Sequence, residues 1–234
     1  MRTISDFLCW RWQARPGGSS SDPDPDPDPD PDPGPGGPGE PEAAGVRRGG
    51  GTELEEAVGR RAALPDCVRL ARQLHARAAQ LQEEMCEKFT ICGNSMEMLV
   101  QNNLNLPKVT EEDGCLLAGF DEDKCLRKIS SGLYTFQTYL EYIQETFTSE
   151  KQNVESLCYS TEHLAHTIRQ MVINPDEVTI PDPATQKSLR TKLKSDKTWI
   201  EKITTHLILR DFTSFMEKTV RAVRYLKNTR SFSV

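Results

Sequence analysis

Four of the seven cysteines stand in two close pairs, Cys86 with Cys92 and Cys115 with Cys125. Five residues lie inside the first pair and nine inside the second. Sulfur so spaced can close a short loop, bind a metal or remain a thiol. Metal binding fits poorly, because no Cys-x2-Cys occurs and the four histidines are scattered. His163 and His166, three apart, can share a helix face, but no further ligand is placed beside them. Serine, histidine and aspartate are all present without a nucleophile elbow or a Cys/His signature. The chain therefore calls for no cofactor, no metal and no catalytic reaction. Two local staples and four free thiols remain as alternatives. A disulfide across the longer loop gains about 3 kcal/mol in the chain-entropy model, so staples make the stronger use of these spacings.

The elements that carry these cysteines read as helices. Helix A is predicted over 66–91, starting after Pro65 with Asp66 as N-cap, and residues 52–64 form a weakly helical lead-in. Its apolar stripe is Cys67, Leu70, Ala71, Leu74, Ala78, Leu81, Met85 and Phe89. Helix B, 122–147, repeats Leu126, Ile129, Leu133, Phe136, Leu140, Ile143 and Phe147 in steps of three and four. Gly132 lies inside it and weakens it by ~1 kcal/mol relative to Ala. Helix C, 150–173, has Val154, Leu157, Thr161, Leu164, Ile168 and Met171 on one face, and Asn174-Pro175 ends it. Helix D, 195–228, is the longest. No Gly or Pro occurs from Ala184 to Val234, and Ser195 and Asp196 offer N-cap oxygens. Ile200, Ile203, Leu207, Phe212, Phe215, Met216 and Val223 mark its buried stripe, over about 40 Å of helix.

Connection lengths then set the topology. B and C are joined by a tight turn and must be antiparallel neighbours. The A–B and C–D connections are roughly 28 and 20 residues, long enough at ~3.3–3.6 Å per residue to run the length of a helix. A and B can therefore be parallel, with C and D opposed to both. The predicted fold is all-α: a long-chain four-helix bundle, up-up-down-down, over 61–234.

Residues 1–60 are predicted to be a disordered acidic tail. Asp22 to Pro33 is six Asp-Pro pairs, followed by a Gly/Pro run, with nothing apolar to bury. The net charge is -6. The basic residues near the C-terminus lie on a helix face rather than in a block, which argues against a nucleic-acid partner. No apolar run approaches the ~18 residues of a membrane span, so no membrane insertion is expected. The cysteine count favours an oxidising compartment. Met1 to Arg15 has only the short apolar core Phe7–Trp10, however, where a secretory leader needs about 7–15 apolar residues. An unconventional export route or reduced cysteines would reconcile the two. The preferred expectation is that the true start of the chain lies elsewhere.

NNLNLPK (Asn102–Lys108), DGCLLAGFDEDKCL (Asp113–Leu126), TYLEYIQETF (Thr138–Phe147) and THLILRDF (Thr205–Phe212) together resemble the interleukin-6 family of cytokines. The resemblance covers about residues 64–230 and includes the order of the strings, the cysteine spacing and the loop lengths. It implies a secreted cytokine without catalytic activity. Such a cytokine binds the interleukin-6 receptor alpha chain and then recruits a shared signal-transducing receptor chain. Janus kinase/STAT signalling follows, in inflammation, the acute-phase response and B-cell differentiation.

The resemblance also implies site residues. For the alpha receptor these are Arg221 and Arg224 at the end of helix D with Phe120 and Leu116 in the cysteine-bounded loop; the family often has an aromatic residue where Leu116 stands. Arg221 and Arg224 form an i, i+3 pair, and guanidinium forks beside an apolar loop residue make a plausible hot spot. For the signal transducer they are Trp199, Leu99, Asn102 and, on a separate helix A and C surface, Ser160. Gln101 replaces an acid on the Trp199 surface, and Gln73, Arg77 and His163 on the helix A and C surface depart from the expected types. Cys9, Cys67 and Cys158 have no partner in the family pattern, and Cys158 reads as a small core residue. The rival from another class is an intracellular helical adaptor that binds partner helices. All-free thiols would favour it.

Overall fold

The computed structural model describes residues 50–92, 97, 100, 104–147, 149 and 151–231. Residues from Glu55 onward form one compact unit. Five α-helices occur among the described residues: α1 (Gly50–Phe89), α2 (Glu122–Thr146), α3 (Lys151–Arg169), α4 (Pro183–Leu193) and α5 (Thr198–Ser231). No strand occurs among them.

Side-chain contacts establish the direction of each long helix. Phe89 at the end of α1 meets Phe147 just past the end of α2, ring centroids 5.1 Å apart, so α1 and α2 run parallel. Lys88 Nζ donates to Ser149 Oγ at 3.3 Å, and Arg77 Nη1 to Ser156 Oγ at 2.9 Å; the end of α1 thus lies beside the start of α3. The backbone N–H of Ile173, beyond α3, donates to Asp123 at the start of α2 at 2.7 Å. Arg230 at the end of α5 pairs with Glu122. The bundle is up-up-down-down.

Its core is the four predicted stripes. Phe136 of α2 packs against Phe212 and Phe215 of α5 at 5.1 and 5.2 Å between centroids, and all three side chains are fully buried. Gly132 belongs to this contact. A Cβ there would lie 2.4 Å from Phe215 Cζ, so the missing side chain makes room for the ring. The helical weakness read from sequence is the cost of that close approach.

Several boundaries differ from the sequence reading. Helix C ends at Arg169 rather than 173, and helix D begins at Thr198 rather than 195, so Ser195 and Asp196 precede it without capping it. The first helix does not start at 66 but runs through Pro65. Ala62, Ala63 and Leu64 favour helix, and Leu64 is 2% exposed, so core packing outweighs the proline. Asp66 accordingly does not begin a helix; it pairs with Arg69 one turn on, at 3.3 Å. Residues 50–60 are helical, within the span read as tail. The rest of that span, 1–49, lies outside the described residues. The C–D connection is not wholly irregular, because it carries α4, whose N-cap Asp182 accepts from the N–H groups of Ala184 and Thr185 at 2.9 Å each.

Candidate interaction surfaces

Both close cysteine pairs are disulfides. Cys86–Cys92 closes the end of α1 with Cα atoms 5.1 Å apart. Cys115–Cys125 ties the loop 115–121 to the first turn of α2 with Cα atoms 4.9 Å apart. Gly114 enters this loop at φ 70°, and a Cβ there would meet Asp121 Cβ at 2.8 Å. Asp121 N–H donates to Gly114 O at 2.9 Å, and the Asp121 side chain caps α2 through Lys124 N–H at 3.0 Å. A second brace precedes it. Asp113 accepts from Thr110 N–H at 2.6 Å and Thr110 Oγ1 at 2.9 Å, and pairs with Lys128 at 3.2 Å. Burial alone would raise the Asp113 carboxyl, but these donors hold it below the usual carboxylate range.

The braced loop presents apolar surface. Leu116 is 49% and Leu117 66% exposed. Phe120 is half-buried, its ring against Tyr225 of α5 with centroids 4.8 Å apart. That stack fixes the loop to the last turns of α5, where Arg221 and Arg224 are exposed. Arg221 is held by Glu217 one turn back. Ala222 and Val223 between them are buried, so the two guanidinium groups belong to the outer face.

Trp199 stands at the other end of α5, 42% exposed. At about 1.5 Å per residue it lies roughly 33 Å along the axis from Arg221. Leu99, Gln101 and Asn102, expected beside it, lie outside the described residues. Ser160 is half-buried on α3, away from both ends of α5. Gln73 and Arg77 of α1 and His163 of α3 are exposed. Cys67 and Cys158 are buried, and burial beside Asp66 pushes the Cys67 thiol up to about 12. Cys9 lies outside the described residues. Among the described residues no group of His, Cys, Asp and Glu could hold a metal ion, and no helix is long and apolar enough to cross a membrane.

The model of the Interleukin-6/G-CSF/MGF family matches residues 51–226, most of α1 through most of α5. The chain belongs to this family. It is similar to interleukin-6 of Gallus gallus, 77% identical over 193 residues that cover 82% of this chain and 80% of the relative. Interleukin-6 of Sus scrofa is 42% identical over 157 residues, covering 67% and 74%. Among solved structures, a chain from a crystal structure of a cytokine/receptor complex superposes with a TM-score of 0.61. It is 20% identical and covers 69% of this chain and 96% of its own; that likeness is one of fold. Interleukin-6-family cytokines are not enzymes, and neither is this chain.

Three exposed or contact-forming residues of this interleukin-6-type bundle escaped the sequence reading. Leu117 was read only as part of a matching string. Tyr225 sits at a helix position whose ring could point anywhere until Phe120 is placed. Tyr159, 64% exposed on α3, adjoins Ser160. Its place off the apolar stripe was the one available signal.

Proposed function

We propose that the chain is a secreted cytokine that binds an interleukin-6 receptor alpha chain and then recruits the shared signal-transducing chain. Janus kinase/STAT signalling in inflammation, the acute-phase response and B-cell differentiation follows from that assembly. The observation that carries the reading is the Phe120–Tyr225 stack. It sets exposed Leu116 and Leu117 beside the exposed Arg221 and Arg224, so apolar area and charge-fixing forks meet on one end of the bundle. Trp199 and, on the α1–α3 face, Ser160 are assigned to the signal transducer, together with Leu99 and Asn102. The two disulfides fit an oxidising compartment and count against the intracellular adaptor.

Binding of the alpha-receptor ectodomain to Arg221→Glu/Arg224→Glu, measured by surface plasmon resonance, tests the first assignment. More than a hundredfold loss with unchanged helical circular dichroism is expected; full-strength binding by the folded variant refutes it. Trp199→Ala is expected to keep alpha-receptor affinity within threefold and to weaken recruitment of the transducing chain at least tenfold.

A further inference from the structure

We propose that the groove between α4 and α5 is a binding site for a long-chain carboxylate, an apolar chain with one anionic head. The groove is a partly open cavity of about 990 Å³, at the upper end of the size range of small-molecule sites. Val100, Leu104, Leu189, Leu193 and Ile200 line it with apolar surface. Val100 is part of a small satellite core with Ile91, Ile203 and Leu207, against which Leu104 and Ile200 pack.

The manner in which α4 is fastened keeps this space open. None of its eleven residues is buried. Ion pairs hold one edge: Arg190 with Glu141, Arg190 with Glu145 at 3.2 Å and, just beyond the helix, Lys194 with Glu145 at 3.3 Å. Leu189 and Leu193 reach toward the bundle and stay half-buried. A hydrocarbon chain in the groove would complete their burial and that of the partly buried Leu104 and Ile200.

Charge selects the head group. Lys192, Lys194 and Lys197 line the cavity and none of the described lining residues is acidic, in a chain whose net charge is -6. Lys192 and Lys197 are exposed at the mouth, within the same cavity as the apolar floor. Asn105, Thr185, Ser188, Ser195 and Thr204 add uncharged polar groups to the lining, so among the described residues the lysines are its only charges. A neutral hydrocarbon would make no use of the lysines. A carboxylate with an apolar tail satisfies both ends. Trp199 at the rim supplies a reporter.

The inference stands apart from the receptor reading, because the ligand is measured on the full chain alone. Oleate, kept below its micelle concentration, is titrated by calorimetry and tryptophan fluorescence. One saturable site per chain is expected, with a tryptophan fluorescence change that saturates at the same stoichiometry as the heat. Lys192→Glu/Lys197→Glu should weaken binding at least tenfold, as should replacing oleate by oleyl alcohol. Leu189→Asp should abolish it, with circular dichroism showing each variant folded. Absence of saturable heat overturns the proposal, as does equal binding by the charge-reversed variant or by the alcohol. Concentration-dependent dimerisation of the unliganded chain that Leu189→Asp blocks would give the groove to a second copy and overturn it as well.

Discussion

Glu97 and His206 meet at 3.3 Å, Oε1 to Nε2, and the same carboxylate takes Arg210 Nη1 at 2.8 Å. One acidic side chain from the α1–α2 connection is thereby pinned to two successive turns of α5. His206 is 6% exposed, and its Nδ1 is buried with no hydrogen-bond partner. The neutral tautomer with hydrogen on Nε2 donates to Glu97 and leaves only an unmet acceptor. A second proton would create a buried donor with nothing to receive it. Burial holds the His206 pKa below its usual value, and the nearby Arg210 adds to this, against the opposing pull of Glu97.

Acidification therefore costs the folded chain stability at this residue. Above the ordinary histidine pKa of ~6.5 both states are neutral there and nothing is lost. Below it the unfolded chain takes up the proton first, and stability falls until the depressed folded value is passed. Thermal melts at pH 7.5 and 5.5 should show a fall that is smaller, by a few degrees, in His206→Gln. An equal fall in both proteins would remove His206 from the account.

Gly132→Ala should destabilise the bundle. Helix propensity alone predicts a gain of ~1 kcal/mol, but the added methyl would press on a Phe215 ring already held by Phe136. Overpacking of this kind costs ~1–3 kcal/mol. A lower urea midpoint is expected, partly recovered by adding Phe215→Leu. A raised midpoint for the single variant would show that the ring moves freely.

Replacing Cys115 and Cys125 by serine should lower the melting temperature by roughly 6–12 °C, from about 3 kcal/mol of loop-closure entropy. The loop 115–121 should also exchange its amide hydrogens faster, since Gly114–Asp121 and Phe120–Tyr225 contacts alone would hold it. An unchanged melting curve would mean that those contacts suffice.

Cys67 should resist alkylation in the native chain. Its thiol is buried and pushed up to about 12, so little thiolate exists at pH 8. Peptide mapping after iodoacetamide treatment should find Cys67 labelled only when denaturant is present. Rapid native labelling would place that part of α1 in exchange with an open form.

The four stripes and their directions were legible because periodicity and connection length act locally and additively. Leu126 through Phe147 need only their own spacing to declare a buried face. Contacts between distant strings were not legible. Nothing in sequence links Glu97 to Arg210, 113 positions apart, or Phe120 to Tyr225. Pro65 misled because a local rule met a stronger tertiary term at Leu64. α4 was passed over because Leu189 and Leu193 are too few to make a stripe. At the proposed receptor end, Arg221 and Arg224 could be read from the family strings, whereas the partner that orients their neighbourhood, Tyr225, required the fold.

Trp199 and Arg221 sit on one uninterrupted helix, and this has a consequence for how the chain can change. Adding a single residue between them would swing one group about 100° around the axis relative to the other and shift it by only 1.5 Å. The two gripping points would then face different directions, although each kept its own neighbours. Substitutions along the exposed side of that stretch are mild by comparison. Length there is the rigid quantity, and a lineage could repaint the helix far more readily than recut it.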